Sequence, residues 1–403
     1  MTLLFFSDIT WTSLYQRPQH LASRLATRWP LLWIEPVTLG HPWSFRVRTV
    51  APSVRALSLP LFPHNARQSV VRRLARMASS VHAMRSVELS TQHRILLGAL
   101  RAAALDTTAP VCIVQNFQCI RLVHSLQPSF LLFDYIDDAF GFREYPRSMR
   151  EDWLATIESA HVITVTAPAL RQQILEADPS RSHAVQLVSN GVEYERVAAA
   201  SSESRPADLP PPRVPIIGYV GSVYPWLDFP LLERIVRDLP SVHLVVIGHH
   251  HPEVSGELAR LQRYPNFSYL GSRPYPQVPA YLHHMDVGII PFARTRLTAA
   301  VNPVKLYEYS AAGLTSVCTN FSDDLQQFAD LVLIARSHDE FLAQIAAALE
   351  HKRRQDNRAR LQEFARSNDW DAKAGEIARL IESGSRTAEG HFTGHSSRNP
   401  RRS

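Results

Sequence analysis

Asn302-Pro303-Val304-Lys305-Leu306-Tyr307-Glu308-Tyr309-Ser310-Ala311-Ala312-Gly313 decides how this chain is read. Asn302 suits an N-cap, Pro303 suits a first helical position because its missing N–H has no partner there, and Gly313 suits the residue after a helix end. The frame predicts a helix of about three turns between a loop beginning at Arg294 and a strand Ser316–Thr319. Lys305 falls in the first turn, where the helix dipole opposes a cation by up to about 1 kcal/mol. An anion near that helix start would reverse the sign, since backbone amides there already favour phosphate and Lys305 adds a point charge. Glu308, three residues on, could accept hydrogen bonds from sugar hydroxyls. The competing interpretation is that Lys305 and Glu308 form an ordinary surface ion pair.

Outward from this stretch the chain alternates strand and helix. Short apolar runs at Leu3–Phe6, Leu31–Ile34, Val111–Val114, Phe130–Phe133 and Val162–Val165 read as buried strands, with helical patterns between them. The alternation restarts at Ile216–Val220 and continues through Leu244–Ile247, Phe267–Leu270 and Val287–Pro291. Between the two series lies Ala198–Arg213, rich in Ala, Ser and Pro, which builds no core and reads as a linker. The expectation is therefore two parallel-sheet α/β domains, 1–198 and 214–368, joined by 199–213, then a helix 369–382 and a disordered tail 383–403. A chain of 403 residues with 45% hydrophobic and 20% charged residues suits two such cores.

Open α/β sheets bind ligands at the carboxyl ends of their strands, and three such ends stand out. Ile216–Val220 runs into Gly221-Ser222, where a small residue lets backbone approach a ligand. Phe130–Phe133 runs into Asp134-Tyr135-Ile136-Asp137-Asp138. A carboxylate there could be a general base, could ligate a divalent metal, or could cap the next helix; Asp137 is the first choice for chemistry. Leu3–Phe6 leads into Thr10–Gln19, which has no glycine and so is no dinucleotide fingerprint. His249-His250-His251 has no second ligand cluster of matching spacing and reads as a polar loop.

Charge is unevenly spread. Between Asn65 and Ala104 stand Arg67, Arg72, Arg73, Arg76, Arg85, Arg94 and Arg101 against Glu88 alone, a surplus of six that equals the +6 net charge of the whole chain. A basic amphipathic segment suits an anionic membrane surface or simply a solvated helix face. Cys112, Cys119 and Cys318 are odd in number and lack zinc spacing, as a reduced cytoplasm allows. With no basic leader and no apolar run long enough to span a bilayer, the expected location is cytoplasmic, in one version peripheral on the inner face of the membrane.

Together the two α/β series, Gly218–Ser222, Asn190-Gly191-Val192, the Asn302–Gly313 helix and a Trp370-linked last helix resemble the GT-B glycosyltransferases, over about residues 1–382. Trp11 with Gln16-Arg17-Pro18-Gln19-His20, and Tyr135-Ile136-Asp137-Asp138, look like a bacterial cell-surface polysaccharide subgroup and are similar to xanthan-type glucuronosyltransferases. The resemblance implies two Rossmann-like domains facing a cleft, the last helix crossing back to the first domain, and a nucleotide-sugar donor, UDP-linked by preference, on the second. It puts Gly221, Ser222, Pro303, Val304 and Lys305 near the diphosphate, Glu308 on the ribose and Gly271–Pro274, with Arg273, beside the base. Asp137 becomes the catalytic base, and Arg294, Arg296, Asp138 and Arg17 are further candidates. The acceptor would be a lipid-linked or polysaccharide glycan; no cofactor, metal or nucleic acid is implied. Two departures from the retaining members are visible: Ala300 stands where they carry a second Glu, and Gly221–Leu227 lacks their Arg and Lys. Sugar-nucleotide epimerases share the fold, and a non-catalytic glycan- or nucleotide-binding protein is a third class consistent with it.

Overall fold

The computed structural model describes residues 1–38, 41–61, 74, 77–78, 81–106, 108–141, 147–351 and 355–393. The chain forms two compact units. The first comprises 1–189 and takes the chain back from Lys373; the second comprises 190–372.

In the first unit, β1 (Leu3–Phe6), β2 (Leu31–Pro36), β3 (Arg48–Ala51), β4 (Val54–Leu59), β5 (Val111–Val114), β6 (Phe130–Tyr135), β7 (Val162–Val165) and β8 (Val185–Leu187) form one sheet in the order β3-β4-β2-β1-β5-β6-β7-β8. All neighbours are parallel except β3 and β4. Every residue of β1, β5 and β6 is buried, as strands covered by helices on both faces require. Leu3 lies beside Leu31 on one side and Val111 on the other, so the carboxyl ends of β2, β1, β5 and β6 line up along one edge.

The second unit holds β9 (Ile216–Val220), β10 (His243–Ile247), β11 (Phe267–Gly271), β12 (Val287–Ile290), β13 (Ser316–Thr319) and β14 (Val332–Ala335). They form an all-parallel sheet in the order β11-β10-β9-β12-β13-β14. The order reverses between β9 and β12, the switch point at which such sheets open a crevice. The helix Val304–Ala311 connects β12 to β13 at that place.

Several sequence expectations shift. The second unit begins at Asn190, ahead of the Ala198–Arg213 stretch, because Val192, Tyr194 and Val197 bury in its core. The last helix runs Trp370–Thr393 rather than stopping at 382, and its Lys373 onward belongs to the first unit. Part of the tail expected to be disordered is thus helical, and 394–403 lie outside the described residues. Arg67, Arg72, Arg73 and Arg76 also lie outside them. The β3–β4 hairpin and β14 were not anticipated.

Candidate functional site

The site in the second unit is built on three glycines. Gly221 ends β9 with φ +146°, a conformation that side chains rarely adopt, and a Cβ there would lie 2.5 Å from both Cε and Nζ of Lys305. Gly248 ends β10 with φ +148°, and its Cβ would fall on the Gly221 carbonyl. The Gly221 amide donates to Ile247 O (2.8 Å) and the Gly248 amide to Gly271 O (2.9 Å), so neighbouring strand ends are laced together. Gly288 on β12 makes room for the Tyr309 ring, whose hydroxyl accepts from the Val220 amide (3.1 Å) and donates to Ile289 O (3.3 Å). Tyr309 thereby fixes its helix to the two strands at the switch point.

That helix starts one residue later than the sequence suggested. Pro303 is the N-cap, with φ −76° and ψ 112°, and Val304 the first helical residue. Asn302 is released from capping because its side chain is used elsewhere: Oδ1 accepts from the Asn190 amide (3.0 Å) and the Tyr307 hydroxyl (3.1 Å). Asn190 Nδ2 donates to Asn302 O at 2.8 Å. The Asn190-Gly191 pair is therefore a clamp on the loop that enters the helix. The helix is also shorter, ending at Ala311, with Gly313 at φ +68° just past the end as its residue type predicts.

Lys305 remains in the first turn and the side chain lies along Gly221. Its ammonium stands 5.2 Å from the centre of the Tyr219 ring and 5.5 Å from that of Phe292, with no carboxylate at ion-pair distance among the described residues. Burial lowers its pKa, against the pull of Glu308. The surface-pair interpretation does not fit this geometry. Glu308 is half-buried; burial pushes its pKa up to about 7, Lys305 acts against that and Glu193 adds to it. Glu193 was not singled out from sequence, although it follows Asn190-Gly191-Val192 directly. The Tyr219 hydroxyl donates to Ser222 O (2.7 Å), fixing the loop after Gly221.

Two of the candidate arginines of the second unit are occupied. Arg273 donates to Tyr281 Oη (2.9 Å), Asp208 (2.5 Å), Ser272 O (3.1 Å) and Leu270 O, so it organises its own loop. Arg294 pairs with Asp323 (2.8 Å) and donates to Asn320 O (3.1 Å). Arg296 is exposed at the start of the short helix Arg296–Ala299. Ala300 is buried and offers no functional group where a second carboxylate would stand.

In the first unit a separate carboxylate cluster lies at the ends of β1 and β6. Asp134 is buried and accepts from Arg17 Nη2 (2.9 Å) and Nε (3.1 Å), Thr164 Oγ1 (2.7 Å) and Gln115 Nε2 (2.9 Å). Burial opposes its ionisation, but the Arg17 guanidinium and these donors hold its pKa below the ordinary range. Arg17 Nη1 donates to Ser189 O (2.9 Å), so all three guanidinium nitrogens hold the scaffold. Asp138 accepts from the Phe140 amide (3.0 Å) and shapes the turn after the strand. Asp137 between them is exposed. The surrounding protein, then the charges of Asp8 and Asp138, push its pKa up to about 7. Water reaches this carboxyl group, so the like-charge part is the firmer cause. Asp8, just past β1, is exposed, yet the surrounding protein and the charge of Asp134 raise its pKa too. It sits at a strand end by the same rule that drew attention to Asp137, and sequence reading passed over it.

Residues 214–351 match the family described as Glycosyl transferases group 1. The chain is 26% identical over 221 residues to "Putative teichuronic acid biosynthesis glycosyltransferase TuaH" of Bacillus subtilis (strain 168). That match spans 54% of this chain and 56% of the relative, about half of each. Among solved structures, sucrose-phosphate synthase from Thermosynechococcus elongatus superposes with a TM-score of 0.70 at 16% identity, over 95% of this chain and 98% of that one. The UDP-forming α,α-trehalose-phosphate synthase from Burkholderia vietnamiensis gives 0.68 at 13%, over 95% and 100%. Anabaena HepE in complex with UDP gives 0.65 at 13%, over 95% and 100%. At these identities the likeness is one of fold, and the fold is GT-B.

Proposed function

We propose that the chain is a glycosyltransferase that moves a sugar from a nucleoside diphosphate donor, UDP-linked by preference, to a glycan or lipid-linked acceptor in bacterial surface glycan synthesis. The observation that carries this is Lys305: a cation in the first turn of a switch-point helix, with no carboxylate at ion-pair distance among the described residues, held against the bare backbone of Gly221. A diphosphate there would be met by the ammonium and by the first amides of the helix, and Glu308 could accept from a ribose hydroxyl. The teichuronic acid relative supports the surface-glycan setting, and the UDP complex among the structural neighbours supports the base.

In this reading Asp137 takes the proton from the acceptor hydroxyl as its oxygen bonds to the anomeric carbon. The bond to the β-phosphate oxygen breaks, that oxygen keeps the electron pair, and Lys305 stabilises the charge it gains. A base titrating at about 7 is matched to neutral conditions. With Ala300 in place of a second carboxylate, we favour direct displacement with inversion, without a metal. The protein works in the cytoplasm, where nucleotide sugars are made.

A thermal-shift panel of UDP, GDP, ADP and dTDP sugars, with and without Mg²⁺, tests the donor assignment. A ligand at a hundred times its Kd adds about 2.7 kcal/mol to stability, enough to read the preference. No shift with any of the four would remove the donor site and with it the activity.

A further inference from the structure

The two units differ in what they show to water. Among the described residues every exposed large apolar side chain lies in the first unit, and none in the second. Two of these side chains lie on the helix His82–Ala102. Its inner face, with Gln92, Leu96, Ala99 and Leu100, is buried. Its outer face turns Met84 (47% exposed) and Val87 (63%) to solvent, with Val81 (49%) just ahead of the helix. Such side chains on an outer helix face add nothing to the core.

A second apolar group adjoins the same part of the sheet. Trp43 (50% exposed) and Phe45 (43%) pack on each other at 5.2 Å between ring centres, in the loop between β2 and β3. That loop is tied to the end of β4, since the Ser44 amide donates to Ser58 Oγ (3.0 Å) and the Ser58 amide to Ser44 O (2.9 Å). The helix is tied to the residue that follows β4, through Gln92 Nε2 to Pro60 O at 2.7 Å. Loop and helix thus flank one strand end.

On this helix and on the loop between β2 and β3 the exposed charges are of one sign. Arg46 and Arg94 are exposed, and the only carboxylate in the helix, Glu88, is half-buried. Arg85, which the sequence counted with the free arginines, is instead paired with Asp152. Apolar side chains, an aromatic pair and exposed arginines without exposed acids are the composition of a surface that meets lipid headgroups. Exposed arginines on an apolar surface are met with opposite charge by an anionic bilayer.

We infer that Val81, Met84, Val87, Trp43 and Phe45, with Arg46 and Arg94, form a docking surface for an anionic bilayer. The surface is defined by the first unit alone and stands whether or not the donor assignment is right. The test is co-sedimentation of the full chain with phosphatidylcholine vesicles with and without phosphatidylglycerol, at low and high salt. The Met84→Glu/Val87→Glu double variant should bind the phosphatidylglycerol vesicles about tenfold more weakly or worse. Its thermal transition and any nucleotide-induced shift should match the wild type, because both positions are exposed. Arg94→Glu should weaken binding at low salt and change little at high salt. The inference is overturned if the wild type fails to pellet with phosphatidylglycerol vesicles or if the double variant pellets equally well. It is also overturned if the wild type is a dimer in solution that the double variant dissociates, which would give the surface to a second copy.

Discussion

Replacing Gly221 with Ala perturbs the donor site without touching its charge. Two costs can be separated. At φ +146° a residue with a Cβ is strained by about 1–3 kcal/mol, which for a unit of this size lowers Tm by roughly 2–12 °C. The new methyl would lie 2.5 Å from Lys305 Cε and Nζ, where a relaxed contact needs about 3.5–4.0 Å, so the ammonium must move by about 1 Å. A lysine end is flexible enough to do so at little cost in stability, but a charge-assisted hydrogen bond to phosphate, worth about 1.5–3 kcal/mol, then loses its geometry. UDP affinity should fall by about 10- to 150-fold. The assay is calorimetric titration with UDP, beside scanning calorimetry, on Gly221→Ala, Lys305→Ala and the double variant. Once Lys305 is gone the methyl has nothing to displace, so the double variant should bind UDP about as weakly as Lys305→Ala while keeping the Tm loss of Gly221→Ala. Affinity losses that simply add, or a Gly221→Ala protein that binds like wild type, would refute the contact between Gly221 and Lys305 as the basis of binding.

Other outcomes follow from the first unit and the helix anchor. Asp137→Asn should abolish transfer, while wild-type activity should fall as pH drops below about 7, where the base becomes protonated. Because its folded pKa is raised, Asp137 holds a proton in the native state that the unfolded chain releases. It therefore costs stability progressively as pH rises from about 4 to about 7, so the Asn variant should melt higher at pH 8 and equally at pH 4. A lower Tm at pH 8 would contradict the raised pKa. Arg17→Met leaves Asp134 buried without its cation and should cost about 3–5 kcal/mol in denaturant unfolding, with UDP affinity unchanged if the second unit remains folded. Tyr309→Phe removes the link from the helix to Val220 and Ile289 and should cost about 1–3 kcal/mol by the same measurement.

What the sequence revealed and what it hid have physical causes. Buried parallel strands are continuous apolar runs, so Leu3–Phe6, Val111–Val114 and Ile216–Val220 stand out from their neighbours. Arg48–Ala51 and Val54–Leu59 mix Arg, Thr and Ser with apolar residues near one sheet edge, and their pairing is visible only once the strands meet. Gly221 and Lys305 were legible because glycine and a first-turn lysine each break a local rule. The work done by Arg17 was not, since its partner Asp134 is 117 residues away and no local pattern marks a buried ion pair. Arg273 looked like a ligand-binding cation for the same reason: Asp208, which occupies it, comes from the Pro-rich stretch that read as a bare linker. Asn302 and Pro303 show the limit on boundaries, because a side chain that can cap a helix can be claimed by a distant backbone amide instead.

The central claim is that Lys305 at the switch-point helix binds the diphosphate of a sugar nucleotide. Titration of UDP into the wild type and the Lys305→Ala variant under identical salt tests it most directly. The account predicts that the wild type binds and that the variant loses about tenfold or more in affinity with its fold intact. Equal affinities would contradict it and return Lys305 to the role of a packed side chain.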